Sequence, residues 1–544
     1  MLAISSVLCY TFSMNKTVLE GVSAPIIEYI ENLEARIENL TELLILAQNA
    51  RFGSSSEKAK YILDDGFEQD TLFNEAEAYA DEDVGEDEPE TVTVEKHERK
   101  AKRTREELAE NLPVKETVID VPEEDRICGI CEGSLNAIGR ELVRRELGMI
   151  PAQAFVEETY RINYGCKCCL EESDEANIVK PDVPAPVVKR GLASPGSVAY
   201  VMYQKFVNSM PLYRQSKDLA NFGVEIPRST LANWIIFTSL NWLLPLWLAL
   251  KAILLESPVI NADESVLQVL KEPGKTPQSD SYMWVYCTGK YLERSPPIIL
   301  FEYRSSRAGE NPKAFLEGVN NPYLQTDGYK AYNSVENVVH CGCWSHMRRY
   351  VKEAMPKDAP KDNVARIGFE ICQELFLLER KFEDMTPEER VTQRLVQSKP
   401  VLDKFYDWVS NVNPLAGSKL AKAITYAINQ KVKLSAFLLD GRIDLSNNFA
   451  ENQIRPFVVG RKNFLFCDSV RGAKASAVAY SIVRTATENG LNPYQYMLYL
   501  FTHLPTVLTK NPDADLSSFF PWSEVIQAKC KYAQGEKGQL SLLC

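Results

Sequence analysis

Three apolar runs follow one another in close succession, SPVINADESVLQVL, SYMWVYCTG and PPIILFEYR, each bounded by Pro, Gly, Ser or Lys. Their length and their content of Val, Ile, Tyr and Trp mark them as strands rather than helices. A chain with three such runs in a row must build a sheet and must then cover it. The first run carries Asp263. Downstream, YLQTDGY sets Asp327 at a strand end just before Gly328, where one carboxylate can meet another on a neighbouring strand. A third acid follows in LSNNFAENQIRPFVVGRKNFLF, where Ser446, Asn447 or Asn448 is expected to cap a helix that carries Glu451 and Arg455 one turn apart on the same face.

A lone Asp or Glu is ordinarily a surface charge or a helix cap. Three acids set on a first strand, at a later strand end and at a helix start are different, because they offer oxygen ligands from several directions. Phosphoryl transfer assisted by two Mg²⁺ (or Mn²⁺) ions needs such a set, with the cations clamping the attacking and leaving oxygens. Three successive strands with a carboxylate on the first suggest an RNase H-like sheet. The 123 residues between Asp327 and Glu451 then imply an insertion, and most of 345–440 reads as helical.

At 544 residues the chain is too long for one core, so several domains are expected. Residues 1–60 hold a heptad pattern, Ile26, Leu33, Leu40 and Ala47 with Ile30, Ile37 and Leu44 interleaved, which predicts a short coiled coil and hence a homo-oligomer. Residues 61–110 form a linker, acidic and then basic. Thirteen Asp and Glu lie in 64–90 with no Lys or Arg, and without that block the net charge of -13 falls to zero. The acidic balance therefore does not exclude DNA as a partner. A basic run, Lys96 to Arg105, follows.

Residues 111–185 carry Cys128 and Cys131, then Cys166 and Cys169, two C-x-x-C pairs that can each grip an edge of a tetrahedral Zn²⁺. Cys168 competes with its neighbours for the fourth position. Thirteen cysteines, clustered and without a convincing export signal, point to reduced thiols and structural zinc in the cytoplasm. Residues 186–256 read as a helix-turn-helix-like region, with Gly223 in the turn, Ser229 or Thr230 as a cap, and Arg228 and Asn233 near the start of the second helix. The apolar stretch from Trp234 to Leu255 is interrupted by Asn241, Pro245 and Lys251, so a buried helix is expected and no membrane partner. The sheet and its insertion occupy 257–490, and 491–544 is a C-terminal helical segment.

Taken in order, RFGSSSEK, the cysteine pairs, PLYRQ with STLANW, NADES, QTDGYKAYN, CWSHMRR, the long SNNFAENQIRPFVVGRKNFLF segment with RGAKASA, LNPYQYMLYL and FFPW closely resemble the transposases of the insertion sequence 66 family of bacterial mobile elements. The resemblance covers nearly the whole chain. It implies a DDE-type catalytic domain in which Asp263, Asp327 and Glu451 match the three acids, cleavage of element ends and strand transfer into target DNA, and companion proteins of the same element. Two rivals are a nuclease that stops after hydrolysis and a non-catalytic, zinc-containing DNA-binding regulator. In CGCWSHMRR, Cys341, Cys343 and His346 are candidate metal ligands, but a packed strand end followed by a basic helix start is favoured. Arg348, Arg349, Arg461, Lys462 and Arg471 are candidate phosphate contacts.

The zinc assignment has a direct test. Cys128→Ser or Cys131→Ser should lose bound zinc and destabilise residues near 120–175 while leaving the distant sheet formed, because a closed thiolate site contributes its folding energy locally. Elemental analysis of protein purified without chelator reads the metal; limited proteolysis reads the local effect. A zinc-free parent protein would refute the assignment.

Overall fold

The computed structural model describes residues 154–165, 178–189, 191–292, 296–320, 322–356 and 359–532, all within one compact unit spanning 103–544. The heptad segment, the acidic and basic linker and the four candidate zinc-ligand cysteines lie outside the described residues. On either side of residues 166–177 in the sequence, β1 (Tyr164–Gly165) and β2 (Ile178–Val179) pair antiparallel.

The predicted strands form β3 (Val259–Lys271), β4 (Asp280–Thr288) and β5 (Ile299–Arg304), joined antiparallel in sequence order. On the other side of β3, β6 (Tyr323–Gln325) and β7 (Val339–Cys341) add in parallel, giving the order β5-β4-β3-β6-β7. The central strand is buried on both faces over Val259 to Ala262 and alternates only further on, as expected where the sheet loses its cover. The outer end of β3 also pairs in parallel with β8 (Cys467–Ser469).

Before the sheet come α1 (Pro195–Phe206), α2 (Leu212–Asn221), α3 (Arg228–Thr238), a π-helical turn (Ser239–Leu243) and α4 (Leu244–Leu255). Between α2 and α3, Gly223 has φ +80°, a left-handed conformation that a side chain disfavours. One expectation is corrected here. Neither Ser229 nor Thr230 caps α3: Pro227 takes the N-cap position in extended conformation, and α3 begins at Arg228 with no side-chain cap. Proline's fixed φ suits that position, so the hydroxyls fall inside the first turn.

The run Arg228–Leu255 is long and apolar enough to cross a membrane by length and composition. Its apolar residues Leu231, Trp234, Ile235, Trp242, Leu246, Leu250 and Leu254 are instead buried in the same core as the sheet. Trp242 Nε1 donates to the Val187 carbonyl at 2.8 Å. The π turn precedes Pro245, which has no N–H to continue the ladder and whose ring crowds the carbonyl of the preceding turn.

After β7 the chain leaves the sheet for α6 (Trp344–Ala354), α7 (Val364–Lys381), α8 (Pro387–Gln393), α9 (Lys399–Asn411), α10 (Lys419–Asn429) and α11 (Lys431–Ser435); the short α5 (Glu310–Phe315) lies between β5 and β6. These insertion helices enclose a second core around Trp344, Leu402, Phe405, Ile424 and Phe437. Arg394 is wholly buried there. It pairs with Glu379 at 2.7 Å and donates to the carbonyls of Phe437, Asp440 and Ile443. Arg390 reaches the Gly441 carbonyl at 3.1 Å. At Gly441 an added Cβ would stand 1.9 Å from the Pro387 carbonyl oxygen, so only glycine admits this close approach.

The chain returns through α12 (Asn448–Phe464) and α13 (Val470–Glu488), then α14 (Pro493–Lys510) and α15 (Glu524–Cys530). α13 is rich in Ala and Ser and buried along most of its length, which lets it approach the sheet closely. Its Ser481 and Thr485 hydroxyls accept from the backbone N–H groups of Phe301 and Ile299 on β5 at 2.7 and 3.0 Å.

Arg394→Ala should destabilise the protein by about 3–5 kcal/mol, because it strands the largely buried Glu379 carboxylate and three carbonyls. Chemical denaturation followed by circular dichroism reads the loss. A change below about 1 kcal/mol would show that the clamp is dispensable.

Candidate active site

Each of the three acids is delivered by a different local device. Asp263 lies in the middle of β3, paired in register with Val285. Asp327 follows β6 in a turn, where its Oδ1 accepts from the Tyr329 N–H at 2.8 Å, Gly328 takes φ +91°, and the Tyr426 hydroxyl donates to the Asp327 carbonyl at 3.0 Å. Glu451 sits in the first turn of α12, its N–H donating to the Asn447 carbonyl at 3.2 Å.

Three buried amides tie these devices together. Asn261 Nδ2 donates to Asn447 Oδ1 at 3.1 Å and to Gln325 Oε1 at 3.4 Å. Asn447 Nδ2 donates to the Ala262 carbonyl at 2.9 Å, and Gln325 Nε2 donates to the Asp444 carbonyl at 2.6 Å. Asn447 therefore occupies the N-cap position without capping through its side chain, and neither Ser446 nor Asn448 does so. This corrects the expected cap: the amide is committed to β3. Sequence reasoning passed over Asn261 and Gln325 and gave Asn447 only a capping role, although a signal was there. Asn261 and Gln325 precede Asp263 and Asp327 by two residues, the strand period, and Asn447 precedes Glu451 by four, close to the helix period.

The resulting cluster is electrostatically uncomfortable. Burial pushes the Asp263 carboxyl well above the ordinary range, and the neighbouring charges of Glu264, Glu451 and Asp327 push it further. The adjacent Glu264 is otherwise engaged. Its side chain is 1% exposed, paired with Arg307 and accepting from the Tyr332 hydroxyl at 2.5 Å, while Arg307 stacks 3.7 Å above the Tyr329 ring. From α6, His346 Nδ1 faces Glu451 Oε1 at 3.5 Å. Burial lowers the His346 pKa and so does Arg349, with Glu451 opposing. Cys343, pushed up to about 12 chiefly by burial, remains a thiol that accepts from the Asn447 N–H at 3.2 Å. Cys341 lies in the second core, so the less favoured candidate trio of Cys341, Cys343 and His346 is not assembled. Among the described residues, the group whose ligand atoms all lie within 4.8 Å of one another is Cys343, His346 and Glu451.

The cationic candidates divide. Arg349, Lys462 and Arg471 are exposed, as are Arg228 and Asn233 on α3. The Arg348 guanidinium lies over the Phe369 and Phe376 rings at 5.5 and 5.4 Å. Arg461 donates to the Val266 carbonyl on β3. The charges of Asp327 and Glu451 thus reach Asp263, and carboxylate oxygens suit a hard divalent cation, which would offset their effect on it.

Comparison with known proteins supplies an independent line. A family model described as the transposase IS66 family matches residues 190–475, more than half of the chain. The zinc-finger binding domain of transposase IS66 matches 125–169, and a model described as transposase C of IS166 homeodomain matches 39–117. Two relatives from Sinorhizobium fredii (strain NBRC 101917 / NGR234) are the uncharacterized proteins y4jD and y4qI. The first is 28% identical over 436 residues, covering 76% of this chain and 81% of the relative. The second is 27% identical over 511 residues, covering 90% and 89%.

The raised Asp263 pKa makes a prediction about the metal-free protein. A carboxyl whose folded pKa exceeds its unfolded value holds a proton in the folded state that unfolding releases, so stability falls as pH rises from the ordinary carboxylate range toward the raised value. Asp263→Asn should flatten that fall and raise the melting temperature at neutral pH. Thermal melts in chelator across an acid-to-neutral series measure both; parallel pH profiles for parent and variant would overturn the electrostatic account.

Proposed function

The chain belongs to the transposase IS66 family, and from that membership we propose that it cuts the DNA ends of an insertion sequence and joins them to a target, with Asp263, Asp327 and Glu451 as the catalytic acids. The observation that supports the reading is that the charges of Asp327, at a strand end, and Glu451, at a helix start, act on Asp263 in the central strand. The sheet order, three antiparallel strands followed by two parallel ones, supports an RNase H-like domain interrupted by helices.

Asp263, Asp327 and Glu451 would hold a pair of Mg²⁺ or Mn²⁺ ions, which when bound supply charge neutralisation at the scissile phosphate and activation of the attacking oxygen. The chain's own contribution is orientation. Asn261, Gln325 and Asn447 keep the three carboxylates in place before DNA arrives, so the approach of an element end requires no rearrangement of the acids. Arg349, Lys462 and Arg471 stand exposed for phosphate contacts, as do Arg228 and Asn233 on α3 for an element end. Arg461 and Arg348 are better suited to bracing β3 and the insertion. A zinc module, a coiled-coil homo-oligomer and companion proteins complete the reading for the N-terminal part and its partners.

Asp263→Asn, Asp327→Asn and Glu451→Gln should each abolish strand cleavage and joining while leaving end binding nearly intact, since an amide keeps side-chain size but removes a ligand charge. Asp444 is an unsuitable control because its carboxylate accepts from the Ser446 N–H and braces the loop before α12. Asp403→Asn, an exposed acid paired with Lys399 on the insertion, should retain full activity. The assay incubates purified protein with labelled element ends and a target plasmid in Mg²⁺ and maps nicked and joined strands. Parental rates in Glu451→Gln would remove that acid from the site, and cleavage without joining by the parent would favour a nuclease.

A further inference from the structure

CWSHMRR contributes more to the acid cluster than a basic helix start. His346 and Glu451 are 105 positions apart in sequence, yet α6 and α12 set Nδ1 of one against Oε1 of the other at 3.5 Å. Both atoms are shielded from solvent and neither has a hydrogen-bond partner. Two buried polar atoms that face each other and satisfy nothing need an explanation, because leaving them so costs the desolvation of each. A cation between them supplies it. Two donors bound to one ion through bonds of about 2.1 Å at roughly right angles stand about 3 Å apart, so the observed separation needs little adjustment.

Resting on the proposed role of the acid trio, we propose that His346 is a fourth protein ligand of the site, binding through Nδ1 the same divalent cation as Glu451. An imidazole beside carboxylates makes the position favour a transition ion such as Mn²⁺ over Mg²⁺ more than three acids alone would. Ligation through Nδ1 places the ring proton on Nε2. Cys343 lies in the same cluster but has another task. Its sulfur accepts from the Asn447 N–H, so it ties the start of α6 to the residue that precedes α12 and thereby sets His346 against Glu451. The mechanical link also explains why a histidine on the insertion's first helix reaches a site on the sheet: Trp344 N–H donates to the Leu445 carbonyl at 3.0 Å, two residues before His346.

Electron spin echo spectroscopy of full-length protein, loaded with Zn²⁺ at its thiolates and then titrated with Mn²⁺, tests this. The parent should show ¹⁴N modulation from one imidazole on bound Mn²⁺. His346→Gln and His346→Asn should lose it, bind Mn²⁺ at least about ten-fold more weakly, and narrow the Mn²⁺ over Mg²⁺ preference, a loss no smaller than outer-shell changes produce. Cys343→Ser should keep the nitrogen signal. Mn²⁺ that is lost in Glu451→Gln but shows no nitrogen coupling in the parent, or coupling unchanged in both His346 variants, would overturn the histidine ligand while leaving the acid trio standing. Absence of any Mn²⁺ binding that depends on Asp263 and Glu451 would overturn both.

Discussion

Burial and the neighbouring charges of Glu264, Glu451 and Asp327 all disfavour an ionised Asp263, and its raised pKa is the sign of that cost. The fold must therefore hold them together by something stronger than their own preference. It does so with neutral amides. Asn261, Gln325 and Asn447 are almost fully buried, and each is bonded to another of the set or to backbone of a different segment. A buried amide left unpaired is costly, so the register of β6 against β3 and the starting point of α12 form or fail together. A one-residue slip of β3 would turn Asn261 and Asp263 to the opposite face at once.

The helical insertion carries the same logic outward. It leaves the sheet at β7 and returns at Asn447, and the returning strand of chain is fastened at several points. Gly342 N–H donates to the Lys433 carbonyl, Trp344 N–H to that of Leu445, and Trp344 Nε1 to that of Leu434. Arg394 and Arg390 clamp carbonyls between 437 and 443. A long excursion is thereby made stiff where it matters, at the entry to α12. The buried arginines contribute directional bonds to carbonyls that would otherwise be orphaned, which hydrophobic side chains of similar volume cannot do.

Charge is distributed with comparable division of labour. The excess acid belongs to one block in 64–90, while the described unit exposes Arg349, Lys462 and Arg471 and spends Arg461 and Arg394 on structure. A global isoelectric point averages over these uses and describes none of them.

Local pattern alone determined a good deal: three successive strands, Asp327 beside a turn glycine, Glu451 in a first helical turn and a long helical stretch between them. Each depends on neighbours within a few residues, where periodicity and turn chemistry operate. Which partner each polar side chain takes was decided elsewhere. Asn447 has a good capping residue's chemistry, but β3 lies close enough to claim its amide. Ser229 and Thr230 lose the cap to Pro227, and Arg461 gives its guanidinium to Val266. His346 meets Glu451 only because two helices distant in sequence begin beside each other. Propensity acts over a turn or two of chain, whereas hydrogen-bond partners are chosen by distance in space, and only the packed tertiary structure sets that distance.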